Sequence, residues 1–340
     1  MNKTYPILFF IFIAQIYSCK KSTTANSTQH TGTDVYVTGS GGGFALYWKN
    51  GNSTYLASLP GGSAYASGIY VSGNDVYVSG TLTNAGGKNG IAAYWKNGNP
   101  VILSDTSRDA AANSIFVSGS DVYVAGYEFN GTQYLAKYWK NSVPVILPGS
   151  SGNSFANSIF ISGNDVYAAG GVNGDSVTST AVYWKNGNTV ILRDSGSASS
   201  VFVSGNNVFV AVTGSSGAGT IAEYWNNSSP VILASDSSGY VYASSIFVSG
   251  NDVYVAGTTN DPIRSTQVAS CWKNGIPITL SFDSSENSIA YSIFVSGSDV
   301  YVTGGCNNYN EMLYWKNGNL VTLTTEVSSY LENTTSIFVK

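Results

Sequence analysis

The sequence predicts an all-β fold, a seven-bladed β-propeller with four antiparallel strands per blade, and three observations carry that expectation. An Asp-Val-Tyr-Val run and its close variants begin at Asp34, Asp75, Asp121, Asp165, Asn207, Asp252 and Asp299, at intervals of 41 to 47 residues. Each repeat contains one tryptophan: Trp48, Trp95, Trp139, Trp184, Trp225, Trp272 and Trp315. Runs like Ser-Ile-Phe-Val-Ser-Gly are centred on Tyr70, Phe116, Phe160, Phe202, Phe247, Phe294 and Phe338. Self-similarity at this period marks repeats that bury their apolar faces only against one another.

Four β-like runs fill each repeat. Strand A is Ser-Ile-Phe-Val, strand B Asp-Val-Tyr-Val, strand C Ala-x-Tyr-Trp and strand D Pro-Val-Ile-Leu. β-Branched and aromatic residues dominate them, and Ser-Gly-Asn or Lys-Asn-Gly turns separate A from B and C from D. The runs are apolar on both faces, as a sheet covered on each side requires. The first repeat starts at strand B, and the chain ends on an extra strand A, Ser336-Ile337-Phe338-Val339. Pairing that strand with the Asp34–Leu56 stretch completes a blade and closes the ring, leaving no repeat without a neighbour. An outer-membrane barrel would alternate apolar and polar residues, and these runs do not.

Composition narrows the partners. Of 340 residues only 10% are charged, the net charge is −4, and no Lys/Arg run occurs in the body of the chain. A nucleic-acid partner is not expected, because phosphate binding needs a clustered basic surface. The first eighteen residues differ from the rest. Lys3 precedes an apolar stretch from Tyr5 to Tyr17, shorter than the about 20 residues a spanning helix needs and suited to a signal peptide. Ile16-Tyr17-Ser18-Cys19 resembles a bacterial lipobox, which implies a signal peptide over 1–18 and lipidation of Cys19. Residues 19–31 then form a polar, flexible tether, and the propeller occupies 32–340. Lys20 after the cysteine favours an outer-membrane envelope location.

Spacing separates two faces of the disc. From the strand A aromatic to the strand B aromatic the distance is always seven, and from the Trp to the last Leu of strand D always eight. The strand B aromatic lies 12 to 18 residues before the Trp, and the strand D Leu 10 to 15 before the next strand A aromatic. Antiparallel order puts all fixed turns on one face and all variable loops on the other. A rigid scaffold with diverse loops on one side is a common arrangement for recognition. Candidate ligand-binding aromatics on that side are Tyr65, Tyr127, Phe129, Tyr134, Phe155, Tyr240, Tyr242, Tyr309 and Tyr330, since exposed Tyr offers flat amphipathic contact area.

The repeats resemble those of bacterial lipoproteins built as propellers, over residues 32 to 340. Val166–Gly171 and Val300–Gly305 end in Gly-Gly after an apolar strand, as Kelch repeats do. The other five repeats lack the second glycine, and WD signatures are absent. The resemblance implies the architecture and no particular activity.

Chemistry has thin support in the sequence. His30, the one histidine, lies in the tether, so Ser-His-Asp catalysis and His-based metal sites are not expected, nor any metal or cofactor. Asp105, Asp109, Glu128, Asp175, Asp236, Asp261, Asp283 and Glu286 fall in variable loops, where a carboxylate pair would suit a glycosidase or lyase. The tryptophans read as packing between blades, the strand B aspartate as a cap on its own A–B turn, and the Lys of Lys-Asn-Gly as a solvated hairpin residue. Cys271 and Cys306 read as buried thiols. The expected function is a monomeric, envelope-anchored, non-enzymatic protein binding a glycan or protein partner through its variable face. A structural scaffold and a carboxylate-based glycosidase or lyase are the alternatives.

Overall fold

A computed structural model describes residues 32–149, 152–173, 179–217, 219–237, 239–280, 287–306, 312–323 and 331–340. The signal segment 1–18, Cys19 with the tether, Tyr309 and Tyr330 lie outside the described residues. The described residues form seven antiparallel four-stranded sheets and no helix. Blade 2 is typical, with strand A Ala64–Ser72, B Asp75–Thr83, C Gly90–Lys96 and D Asn99–Ile102 in sheet order A-B-C-D. Blades 3 to 7 begin at the strands Ala110–Ser118, Ser154–Ser162, Gly196–Ser204, Tyr242–Ser249 and Ser288–Ser296.

Blade 1 is built from both ends of the chain. Leu331–Val339 pairs with Val35–Gly41, which continues into Phe44–Lys49 and Asn52–Tyr55. Asp34 and Lys340 exchange two backbone hydrogen bonds of 2.7 and 2.9 Å. The ring closes as the stray strand A predicts.

Strand A is the innermost of each blade, and its aromatics meet at the axis. Tyr70, Phe116, Phe160, Phe202, Phe247, Phe294 and Phe338 form an unbroken circle, neighbouring centroids 4.7–5.0 Å apart. Adjacent ring planes turn by 45–56°. A seventh of a full turn is about 51°, so the rings stand along the axis like the leaves of an iris, at spacings favourable for aromatic pairs. A second belt ties the same strands. Ser114, Ser158, Ser200, Ser245, Ser292 and Ser336 each accept a backbone N–H of the following blade, from Val201 for Ser158 and from an Ile for the others, at 3.2–3.4 Å. Gly68 occupies that position in blade 2.

Tryptophans hold the seams further out. Trp95 and Trp184 are fully buried and donate to Ala57 O (2.7 Å) and Pro148 O (2.8 Å) of the preceding blade. A bulge interrupts the A–B pairing of blades 2 to 7, for example between Ala112 and Ser114. It brings a strand A carbonyl against strand B, which explains the glycine there: a Cβ on Gly126 would overlap Ala111 O, and one on Gly170 would overlap Phe155 O.

Two expectations about the fixed face need correction. The strand B aspartate does not cap its own A–B turn, and the lysine is not simply solvated. In six blades the aspartate reaches the C–D hairpin. Its Oδ2 pairs with the Lys Nζ at 2.7–3.0 Å, and its Oδ1 accepts from the following Asn Nδ2 at 2.7–2.8 Å. That Asn sits at φ of 49–52°, a left-handed conformation Asn tolerates better than most residues. The Lys Nζ lies 5.2–5.4 Å from the strand B Tyr ring. Register explains the exchange: antiparallel pairing puts the start of B beside the end of C, as in Tyr77 opposite Lys96.

These clusters set the pH response. The lysine ammonium and asparagine amide hold Asp34, Asp75, Asp121, Asp252 and Asp299 below the usual carboxylate range, and for Asp165 the Asn186 amide leads. The aspartate raises the partner lysine, Lys96 to about 12, and for Lys185 the Tyr167 hydroxyl leads. A depressed carboxylate stabilises the fold fully above its unfolded pKa of about 3.9 and ceases to as pH falls through the folded value. A raised lysine contributes below about 10.4 and loses its effect as pH rises through its folded value. Thermal melts are therefore expected to give a flat Tm from about pH 5 to 9 and a fall below about pH 4. An unchanged Tm at pH 2.5 would show that the six pairs do not stabilise the ring.

Candidate functional site

Strand polarity makes the central funnel one-sided. Each strand A runs from a variable loop toward a fixed turn and carries its iris aromatic near the fixed end. On the variable side an open cavity of about 770 Å³ lies at the axial mouth across blades 5, 6, 7 and 1. Its inner wall is made by Ser199, Ser244, Tyr291 and Thr335, the residues at or beside the strand A bulges. The outer wall is the blade 5 B–C hairpin with Ser215, Gly217 and Gly219, and Tyr242 stands at the rim, 38% exposed. Burial pushes the Tyr291 phenol pKa up.

A buried ion pair braces the outer wall. Glu223 is 1% exposed and holds Arg193 Nη1 at 3.3 and 3.4 Å. Arg193 Nη2 donates to Ser215 O at 2.6 Å. Trp225 also packs at its seam, against the blade 4 and 5 core, but it is half-buried and donates to Glu223 Oε1 at 2.8 Å.

Four candidate aromatics converge elsewhere on the same face. Tyr127 lies 5.3 Å from Tyr134 and 5.0 Å from Phe155, and Tyr134 lies 5.2 Å from Phe129 and 5.5 Å from Phe155. Strands B and C of blade 3 and strand A of blade 4 supply them. Tyr134 Oη donates to Asp109 Oδ2 at 2.9 Å, and that bond raises its pKa. Tyr242 alone among the described candidates lines the axial cavity, donating to Gly239 O at 2.7 Å. Tyr65 and Tyr240 are exposed and belong to neither group. Ser244, Tyr291 and Thr335 were not among the candidates, because inside strand A they read as ordinary strand residues.

The loop carboxylates are already engaged. Asp109 Oδ1 accepts Gly90 N at 2.7 Å, Glu128 pairs with Lys137 at 2.5 Å, Asp105 accepts Ser107 N at 2.9 Å, and Asp261 pairs with Arg264 at 2.8 Å. Asp175, Asp283 and Glu286 lie outside the described residues. Cys271 and Cys306 are buried and no disulfide joins them; desolvation pushes the Cys271 thiol up to about 12. Among the described residues no cluster of three metal-binding side chains occurs, and no helix is long and apolar enough to cross a membrane.

The ring and its mouth define the class: a seven-bladed propeller with a one-sided central funnel. No family profile and no curated protein sequence matches the chain. Among solved structures it is similar to a puromycin-hydrolyzing peptidase of Mycobacterium tuberculosis, with a TM-score of 0.56 and 10% identity over 87% of this chain and 53% of that one. An acylaminoacyl peptidase of Pyrococcus horikoshii aligns with a TM-score of 0.48 and 14% identity over 77% of this chain and 46% of that one. The chain thus spans about half the length of these peptidases. The expectation of a non-enzymatic binder is corrected here. Propellers of this shape occur in hydrolases, so the fold does not speak against a part in catalysis.

Proposed function

We propose that the chain serves hydrolysis of peptide or aminoacyl bonds as the disc that seats the substrate, with the bond-breaking groups supplied from outside the described residues. The axial cavity carries this reading. The Ser244 and Thr335 hydroxyls at its wall can bond the backbone of an extended peptide, which is recognised largely through such hydrogen bonds, and Tyr242 and Tyr291 offer flat surfaces for side chains. The described residues contain no histidine, Cys271 is held as the neutral thiol, and Asp105, Asp109, Glu128 and Asp261 are tied to partners. A hydrolytic role therefore calls for groups in other segments or on another chain. Similarity over half of a peptidase's length agrees with that division of labour. Lipidation at Cys19 would hold the disc at the cell envelope.

Fluorescence anisotropy with a labelled ten-residue unstructured peptide tests the seat, and puromycin serves as competitor. Saturable binding is expected, weakened at least about tenfold by Ser244→Trp, which fills the mouth. Aminoacyl nitroanilides should remain uncleaved by the purified chain alone. If neither peptide nor puromycin binds, the reading fails; cleavage by the isolated chain would instead place the catalytic groups within it. For the anchor, Cys19→Ala should move the protein from the membrane to the soluble fraction.

A further inference from the structure

Blade 5 breaks the fixed-face pattern at three places at once. Where six blades have Asp, Tyr and Lys, blade 5 has Asn207, Phe209 and Asn226. Both charges and the phenol are gone together, so no unpaired charge remains. The local framework is nevertheless kept. Asn227 sits at φ 52°, its Oδ1 accepts Val208 N at 3.0 Å, and its Nδ2 donates to Asn207 Oδ1 at 3.0 Å. Only the lysine that crosses the strand B ring elsewhere has no counterpart.

An open cavity of about 700 Å³ occupies that place, at the seam of blades 5 and 6. Asn206, Asn207 and Asn226 line it from one blade and Asn251 and Asn274 from the next, above the buried Phe209 and Tyr224. Asn226 and Asn207 accept from Asn227, and their Nδ2 groups donate to no protein acceptor among the described residues. A primary amide both donates and accepts. Five such groups from two blades, with no ionised side chain lining the cavity, match hydroxyl groups, which also do both, and supply no counter-charge to a phosphate or a metal ion.

We propose that this seam is a second binding site, on the face opposite the axial mouth, for an uncharged polyhydroxyl ring such as a sugar. The proposal is independent of the peptide-seating reading. Its test is titration of the purified chain with glucose, N-acetylglucosamine and glucose 6-phosphate, followed by NMR amide shifts and calorimetry. At least one neutral sugar is expected to bind saturably and to shift the blade 5 and 6 asparagine side-chain amides, while glucose 6-phosphate binds at least about tenfold more weakly, its charge finding no counter-ion. The triple variant Asn207→Asp, Phe209→Tyr, Asn226→Lys rebuilds a cluster that folds in six other blades. It should retain the wild-type melting profile and lose sugar binding by tenfold or more. Ser244→Trp, on the other face, should leave sugar binding unchanged. Absence of binding by both neutral sugars, or equal binding by the rebuilt variant, overturns the proposal.

Discussion

Removal of residues 331–340 is expected to abolish the cooperative thermal transition at or near 37 °C. Strand A of blade 1 supplies the innermost contacts that close the ring, beside Leu46 and Trp48, which pack on Met312 and Leu323 of blade 7. Phe338 joins Phe294 at 5.0 Å and Tyr70 at 4.9 Å, so its loss opens the iris at two joints. Ile337 and Val339 are 3% and 4% exposed. Thr334 Oγ1 donates within strands B and C of blade 7 and accepts Gly304 N at 3.1 Å. Burying Ile337, Phe338 and Val339 contributes about 1.5–3 kcal/mol each. Their sum approaches the about 5–15 kcal/mol that separates folded from unfolded domains. The deletion also bares strand edges along Val35–Gly41, inviting aggregation. Circular dichroism melts and light scattering read both effects. Adding a synthetic 331–340 peptide should restore part of the transition by strand addition. A truncated chain that melts like the full one would falsify the closure argument.

Glu223→Ala is expected to cost about 3 kcal/mol, the low end of the range for breaking a buried ion pair. The substitution strands the Arg193 guanidinium and removes the acceptor of Trp225 Nε1. Arg193 is 27% exposed in its side chain, so water recovers part of the loss. Glu223→Gln keeps an oxygen for Trp225 and should lose less, about 1–2 kcal/mol. Urea denaturation measures both. In a double-mutant cycle Arg193→Ala with Glu223→Ala should fall short of the sum of the singles, because the second substitution removes a group already unpaired. Loosening Arg193 also frees Ser215 O, so peptide affinity at the mouth should drop with stability. A change below about 0.5 kcal/mol, the scale of ordinary surface substitutions, would show the pair to be dispensable.

Repetition made the architecture legible. Seven copies of one pattern average out local ambiguity, and the unmatched Phe338 strand pointed directly to closure. The same repetition obscured the sites. Asp121 and Lys140 are far apart in sequence, so their pairing depends on strand register that no local rule supplies. Glu223 reads as one more acid in a strand, yet it faces Arg193 from the preceding blade. Four of the aromatics singled out for the variable face, Tyr127, Phe129, Tyr134 and Phe155, do come together. The axial cavity escaped notice because Ser199, Ser244 and Thr335 carry little individual signal and gain meaning only around a common axis. The blade 5 departures were visible residue by residue, but their joint effect is spatial.

The exchange of hydrogen bonds between Asp34 and Lys340 gives the ring a topological freedom. With those two residues already touching, a short linker could join them and a new opening could be cut at a fixed turn such as Gly119 or Gly163. Every blade would then keep its partners while a different one carried the seam between chain ends. The order of the blades around the axis is fixed, but the point at which the chain enters the circle is interchangeable.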